Sequence, residues 1–210
     1  MSCAICQTRR PRRACPGIHG DICAICCGAA REVTVSCPSS CEYLQEARKH
    51  EPPAVFDAAT MGNPDIRVTE EFLESHAALM LAASGALMRT AGHNGAVDSD
   101  VREALASLIQ TYRTLQSGMI YEGLPANPLA AHVHREVQAA LGEFRQRETQ
   151  QGASKTRDND VLRVLVFFER LALDRNSGRP RGRAFIDMMH GLQPEAAPDF
   201  DTAPSPLILP

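Results

Sequence analysis

The sequence predicts a mainly α-helical protein with a small cysteine-rich module at its head, and three observations carry that expectation. All eight cysteines fall within the first 41 residues and none in the remaining 169. From residue 69 onward, apolar side chains recur at three- to four-residue spacing through several successive stretches, the pattern of amphipathic helices. Between the two, His50-Glu51-Pro52-Pro53 and Gly62-Asn63-Pro64 punctuate a segment without periodicity. The chain therefore divides into a cysteine module (1–50), a linker (51–68), a helical bundle (69–193) and a Pro-rich flexible tail (194–210).

The head is built on a repeat. Cys3-Ala4-Ile5-Cys6 recurs unchanged as Cys23-Ala24-Ile25-Cys26, and each copy leads to a Cys-Pro pair, Cys15-Pro16 or Cys37-Pro38. Four residues after that cysteine stands His19 in the first half and Cys41 in the second. The opening Met1-Ser2-Cys3 lacks a basic stretch followed by an apolar run, so no secretory signal is read and a cytoplasmic location is expected. In a reducing compartment, closely spaced thiols read as metal ligands in preference to disulfides.

A Cys-x-x-Cys turn presents two thiolates to one ion, and a second pair from a distant segment completes the tetrahedron that zinc accepts. No run of the iron-sulfur type, with four cysteines ending in Cys-Pro, occurs. Two zinc ions are therefore expected. Cys3, Cys6, Cys15, Cys23, Cys26, Cys27, Cys37 and Cys41 supply eight ligands, and His19 is the alternative ligand should Cys27 be the spare. The halves each close a site, or Cys3/Cys6 close with Cys23/Cys26 in a cross-braced arrangement; spacing leaves both pairings open. Alternation of Val33 and Val35 with Thr34 and Ser36 suggests a short hairpin strand. Cys37 is then expected at a helix N-cap, with Pro38 at the first helical position and Cys41 one turn on. Knuckle, hairpin and ligand-bearing helix make a small treble-clef or zinc-ribbon-like double zinc module.

Arg9, Arg10, Arg12 and Arg13 lie between Cys6 and Cys15, and residues 1–50 carry 7 Lys+Arg against 4 Asp+Glu while the remainder carries 15 against 21. These arginines are candidate nucleic-acid contacts; the blander reading is that they offset the negative charge of thiolate sites. No aromatic residue interleaves with them, so a stacking platform for single strands is missing.

The body reads as an antiparallel bundle. Thr69 to Thr90, with Phe72, Leu79, Ala83 and Leu87 on one stripe, is the first helix, and Asp98 to Gln116 repeats the pattern through Val101, Leu105, Leu108, Tyr112 and Leu115. Asn127-Pro128 caps a third helix running to Gln151-Gly152. Asp158 to Asp174 is apolar on more than one side and is expected at the bundle centre, with Leu165 among its key residues. Ala184 to Leu192 adds a short fifth helix. The apolar segment Met119-Ile120-Tyr121-Glu122-Gly123 is read as a cap on the bundle. The longest uncharged apolar stretch, Ala77 to Met88, is too short to span a bilayer, so no membrane association is expected.

Catalysis leaves no signature. No Gly-rich phosphate loop, nucleophile elbow or His-Glu-x-x-His motif occurs, and His132 with Glu136 reads as a solvated helix face. Arg175, Arg179, Arg181 and Arg183 form a second basic cluster, read as loop solvation after a helix C-terminus.

The runs Ile22 to Glu32 and Ser36 to Leu44, together with Ile120-Tyr121-Glu122, resemble a bacterial family of unassigned function. Its members join a cysteine-rich head to a helical body. The resemblance implies a two-zinc head with the cysteines above as ligands, and no activity. The expected function is a non-enzymatic adaptor with a protein partner or a second copy of itself. The alternatives are a nucleic-acid-binding regulator using the arginine-rich loop, and a thiol redox switch centred on Cys27.

Overall fold

The computed structural model describes residues 2–51, 62–93, 95–118, 123–152 and 156–192. Among them the chain is mostly helical, with one two-stranded sheet. The expected cap segment 119–122 and the tail 194–210 lie outside the described residues.

In the head, strand β1 (Arg13–Cys15) pairs antiparallel with β2 (Gly20–Ile22), Arg13 opposite Ile22 and Cys15 opposite Gly20. Chain reversal between them uses His19 at φ +52°. The turn also needs Gly17, because a Cβ there would lie 2.6 Å from the Ser36 carbonyl oxygen. Helix α1 (Ala24–Ala30) follows at once, with Cys23 as its N-cap: the Cys23 sulfur accepts from the Cys26 N–H at 3.4 Å. A seven-residue helix containing Gly28 has little intrinsic stability, so its order comes from this cap and from the packing of Cys26, Cys27 and Ala30.

Two local expectations are corrected here. Residues 33–36 do not form a hairpin strand; the N–H groups of Val33, Thr34 and Val35 all turn back to the Ala30 carbonyl, and the hairpin lies earlier, in β1 and β2. Nor does a helix start at Cys37. Helix α2 (Glu42–Lys49) has Cys41 as its N-cap, and a turn closed by the Cys41 N–H on the Pro38 carbonyl separates the two sulfurs.

In the body, the first expected helix is divided into α3 (Glu70–Ser75) and α4 (Ala77–His93). The break has a local cause: the Ser75 hydroxyl, the His76 Nδ1 and the His76 N–H all converge on the Phe72 carbonyl, so side chains compete with the helical ladder there. The His76 ring stacks on Phe72 at 4.2 Å, and the Arg163 guanidinium covers the same Phe72 ring at 3.6 Å. Thr69 caps α3 by accepting from the Phe72 N–H.

Helices α5 (Asp98–Gln116), α6 (Pro128–Gln150), α7 (Asp158–Asp174) and α8 (Ala184–Leu192) match the spans read from the sequence to within one or two residues. Their starts are chemically marked. Asn127 accepts from the Leu129 N–H ahead of Pro128, and the carboxylates of Asp100 and Asp160 reach back to the N–H groups of Val97 and Arg157. The reciprocal half of a capping box is missing at Val97, whose side chain has no acceptor.

α7 packs on α5 and α4, and α6 packs on α4 and α5. A continuous apolar core runs from Phe72 to Met189, and α7 contributes Val161, Leu162, Val164, Leu165, Val166, Phe168 and Ala172 to it. Residues 62–68 are tied to this core. Arg170 donates to the carbonyls of Gly62, Asn63 and Ile66, Arg113 pairs with Asp65 at 2.7 Å, and Ile66 and Val68 pack on the apolar cluster. Among the described residues no helix is long and apolar enough to cross a membrane.

Candidate metal centre

Cys3, Cys6, Cys23 and Cys26 come together at the meeting of three elements: the first knuckle, the end of β2 and the start of α1. Their sulfurs all lie within 4.8 Å of one another. A tetrahedral zinc with Zn–S bonds of about 2.3 Å sets its sulfurs about 3.8 Å apart, so the four fit that ion and its geometry. Of the two pairings that the spacing allows, the structure brings together the cross-braced one.

Backbone bonds hold the knuckle in place. The Cys3 N–H donates to the Arg9 carbonyl, the Ala4 N–H to the Asp21 carbonyl on β2, and the Gln7 N–H back to the Cys3 carbonyl, with Gln7 at φ +54°. The Cys23 N–H donates to the Cys3 sulfur at 3.2 Å. Cys3, Cys23 and Cys26 are buried, while Cys6 is half-buried.

Proton affinities in this cluster are driven apart. Hydrogen bonds from the Thr8 hydroxyl, and from the N–H groups of Thr8 and Arg9, pull Cys6 down to about 5. The Cys6 N–H lowers Cys3 as its largest influence. Cys26 is pushed up to about 12, first by its hydrogen bond with the Cys23 sulfur and then by burial. Four thiols this close cannot all ionise without a cation between them, and a divalent metal removes that conflict. The Arg9 guanidinium is raised above its ordinary value, chiefly by its hydrogen bond to Cys23.

The remaining four cysteines face elsewhere. Cys15, Cys27, Cys37 and Cys41 all line one small cavity, with Arg13, Arg31, Val35, Tyr43 and Leu44 among its walls. The space admits about one water-sized sphere. Among the described residues these sulfurs are not drawn together as closely as the first four. Adjacent Cys26 and Cys27 thus open onto different places from one turn of α1. Burial raises the Cys37 thiol, and the nearby charges of Cys41 and Cys15 add to the effect.

Arg13 Nη1 donates to the Cys27 sulfur at 3.3 Å and its guanidinium lies 4.7 Å from the centre of the Tyr43 ring, while Arg31 Nη2 reaches Cys27 at 3.9 Å. Arg9, Arg10 and Arg12 are exposed, and so is His19, which is not part of the four-sulfur group. Arg9, Arg13 and Arg31 therefore direct positive charge at sulfur.

Sequence reasoning missed a set of charged residues that joins head to body. Glu32, fully buried and at φ +52°, meets Arg48 at 2.9 Å, and Arg48 also meets Asp187 on α8 at 2.7 Å. Burial works against the Arg48 charge, but Asp187 and Glu32 outweigh it and its pKa is raised. The Arg181 N–H donates to the Glu32 carbonyl at 2.8 Å, Arg181 Nη1 to the Ser36 hydroxyl at 2.9 Å, and Arg179 Nη1 to the Arg31 carbonyl at 3.2 Å. Arg179 also pairs with Glu51 at 3.2 Å. Arg179 and Arg181, of the basic cluster expected to be solvated loop, thus belong to an inter-element joint, while Arg175 is exposed beside Asp174. The joint's partners lie some 145 residues away in sequence, so no local pattern announces it.

The chain matches no protein-family model, no curated protein and no solved structure in comparisons with each.

Proposed function

We propose that the protein is a zinc-built, non-enzymatic cytoplasmic adaptor. The observation that carries this reading is the buried group Cys3, Cys6, Cys23 and Cys26, with every sulfur within 4.8 Å of the others. Four protein ligands close a zinc site and leave no position for a reacting water, so the metal's role is to fold the head. The second zinc belongs in the cavity of Cys15, Cys27, Cys37 and Cys41, where Arg13 and Arg31 offset thiolate charge. Knuckle, β1–β2 hairpin and α1 with ligands at its start support a treble-clef reading of the first site. The body, with connections of four residues between α4 and α5 and seven between α6 and α7, reads as an antiparallel bundle.

The zinc knuckles also display a surface. Ile5 and Ile25 occupy the same place in the two Cys-Ala-Ile-Cys copies and are 42% and 63% exposed, respectively, and Ile18 and Val33 are exposed on the same module. Apolar side chains held out on a rigid, metal-braced loop suit contact with a protein partner.

Elemental analysis of protein purified without added chelator should return about two zinc ions per chain, and Cys3→Ser should lose the first of them. Protein that carries no metal overturns the reading. A redox role for Cys27 has one observation in its favour, the two guanidiniums aimed at its sulfur. Alkylation of the zinc-loaded protein separates the two: full protection supports ligation of Cys27, and modification at Cys27 alone supports the redox reading.

A further inference from the structure

The polar contacts described between head and body leave the head from one place. Arg31, Glu32 and Ser36 lie between Cys27 and Cys37, and Arg48 and Glu51 lie on and just beyond the helix that Cys41 caps. The segment that reaches the body is therefore bracketed by the second cysteine set, while the first set sits on the first knuckle and at the start of α1. On the other side, the receiving residues are Arg179 and Arg181 in the α7–α8 connection and Asp187 on α8.

Apart from the burial of Val35 and the close approach of Gly17, the bracketed segment has little else to fix it. It is a turn whose N–H groups share one carbonyl, Ala30, with Glu32 in the left-handed region and a single bridge from Arg31 to Val35. Among the described residues one oxygen of the buried Glu32 carboxyl, Oε2, has no hydrogen-bond partner, and Arg48 meets the other. A turn of this kind keeps its shape only if its two ends are held.

We infer that metal bound by Cys15, Cys27, Cys37 and Cys41 locks the head onto the helical body, so that occupancy of the second site, and not the first, sets whether the two parts act as one unit. The inference rests on the second zinc of the proposed function. A cation drawing the four sulfurs together fixes Cys27 and Cys37 at the two ends of the turn, and Cys41 at the head of α2. That presents the Glu32 carbonyl to Arg181 and the Glu32 carboxylate to Arg48. The first site folds the module; the second couples it. A cell could then read zinc supply, or thiol oxidation at the second set, as a change in the relation of the adaptor's two halves. Coupling of this kind is reciprocal: if the second ion strengthens the joint by some factor, the formed joint strengthens binding of the second ion by the same factor.

The Arg181 amide, which donates to Glu32 across the joint, is the reporter. Full-length protein loaded with zinc chloride is compared with Cys37→Ser/Cys41→Ser, by zinc stoichiometry and by residue-resolved hydrogen exchange. The variant should hold one zinc per chain and exchange the Arg181 amide at least tenfold faster, with amides in α5 and α7 unchanged. Unchanged exchange at Arg181 in a one-zinc variant overturns the lock and leaves the two-zinc reading intact. A wild-type protein holding only one zinc overturns both. Should the double serine variant fail to fold, the reverse arm decides. Arg179→Ala/Arg181→Ala removes solvent-reaching side chains that bond the Arg31 carbonyl and the Ser36 hydroxyl and no sulfur, and competition with a chromophoric chelator should show the second zinc roughly tenfold weaker and the first unchanged. Equal affinity for the second ion in that variant overturns the lock.

Discussion

Buried side chains in the head form two small clusters, one of Cys3, Ile22, Cys23, Cys26 and Cys27 and the other of Ala30, Val35, Cys37, Cys41 and Leu44. Those in the body form one continuous cluster, reaching from Phe72 on α3 to Met189 on α8 and drawing on every helix between. The difference is one of kind. Ile22, Val35 and Leu44 are the sizeable sulfur-free apolar side chains buried in the head clusters, at ~1.5–3 kcal/mol each, with half-buried Tyr43 packed against both. They cannot order a segment made mostly of turns, whereas the body has apolar surface enough to fold by burial alone. Where sulfur replaces hydrocarbon at the centre of a fold, the proposed metal takes the place of a core.

The sharpest way to break this comparison is to remove the metal. A zinc structural site contributes an apparent ~10–16 kcal/mol to its folded state, because the ligand set does not exist in the unfolded chain. A strong chelator is therefore expected to unfold the head and leave the body helical. Hydrogen exchange should show residues 3–49 losing protection while the amides of α5, α6 and α7 keep theirs. A head that stays protected after complete zinc removal would mean that its small clusters suffice, and the contrast between the two regions would fall.

The body is broken from the other side. Leu165 is fully buried at the centre of α7, between α5 and α4. Leu165→Ala removes hydrocarbon and leaves a cavity that the surrounding helices fill only in part, at a cost of ~2–5 kcal/mol. Chemical denaturation followed by far-ultraviolet circular dichroism should show the loss, with zinc stoichiometry unaltered. Loss of zinc together with helix would show that the two regions stand or fall together.

Legibility in the sequence follows the same divide. Helices α5, α6 and α7 were readable because periodicity and end signals agree: Asp98, Asn127-Pro128 and Asp158 stand where each helix begins. The break at His76 was not, since it depends on two side chains turning to one carbonyl inside an unbroken apolar stripe. In the head, the cysteine repeat announced a group of thiols able to hold a metal, and the geometry brings together one of the two pairings that the spacing allows. The hairpin and the ligand-bearing helix were displaced by one half of the repeat, because elements of three to eight residues are placed by sulfur geometry and not by propensity. The joint around Glu32 and Arg48 was invisible because each partner, taken alone, reads as an ordinary surface charge. The expectation that the arginines offset thiolate charge has concrete support in Arg13 and Arg31 at Cys27.

The finest discrimination comes from pH, through a carboxylate that links the start of α5 to the start of α8. Asp98 is 1% exposed, and its two oxygens accept from the N–H groups of Phe185 and Ile186 at 3.1 and 3.2 Å. Burial pushes its pKa up to about 6 from an ordinary 3.8; those two N–H groups pull the other way, and the charges of Asp187 and Glu32 add to the rise. Arg48 and Arg183, both paired with Asp187, supply the positive charge of this neighbourhood. Because the folded state holds the Asp98 proton more tightly than the unfolded chain does, this group favours folding most below pH 3.8. Its contribution declines as pH rises from about 3.8 to about 6 and is constant above that. At about 1.4 kcal/mol per pH unit the whole change is up to about 3 kcal/mol. Asp98→Asn removes the titration and keeps the size, although one of the two N–H groups loses an acceptor. The stability of the wild type relative to Asp98→Asn should therefore improve on going from pH 7 to pH 4, with the body's unfolding midpoint as the measure. Since release of the proposed zinc at low pH would confound any probe of the whole chain, the comparison belongs to tertiary signals from α5 and α8 alone. A gap between the two proteins that stays flat from pH 7 to pH 4 would show that Asp98 is not held uncharged by its surroundings, and that the α5–α8 contact owes nothing to the protonation of that carboxyl.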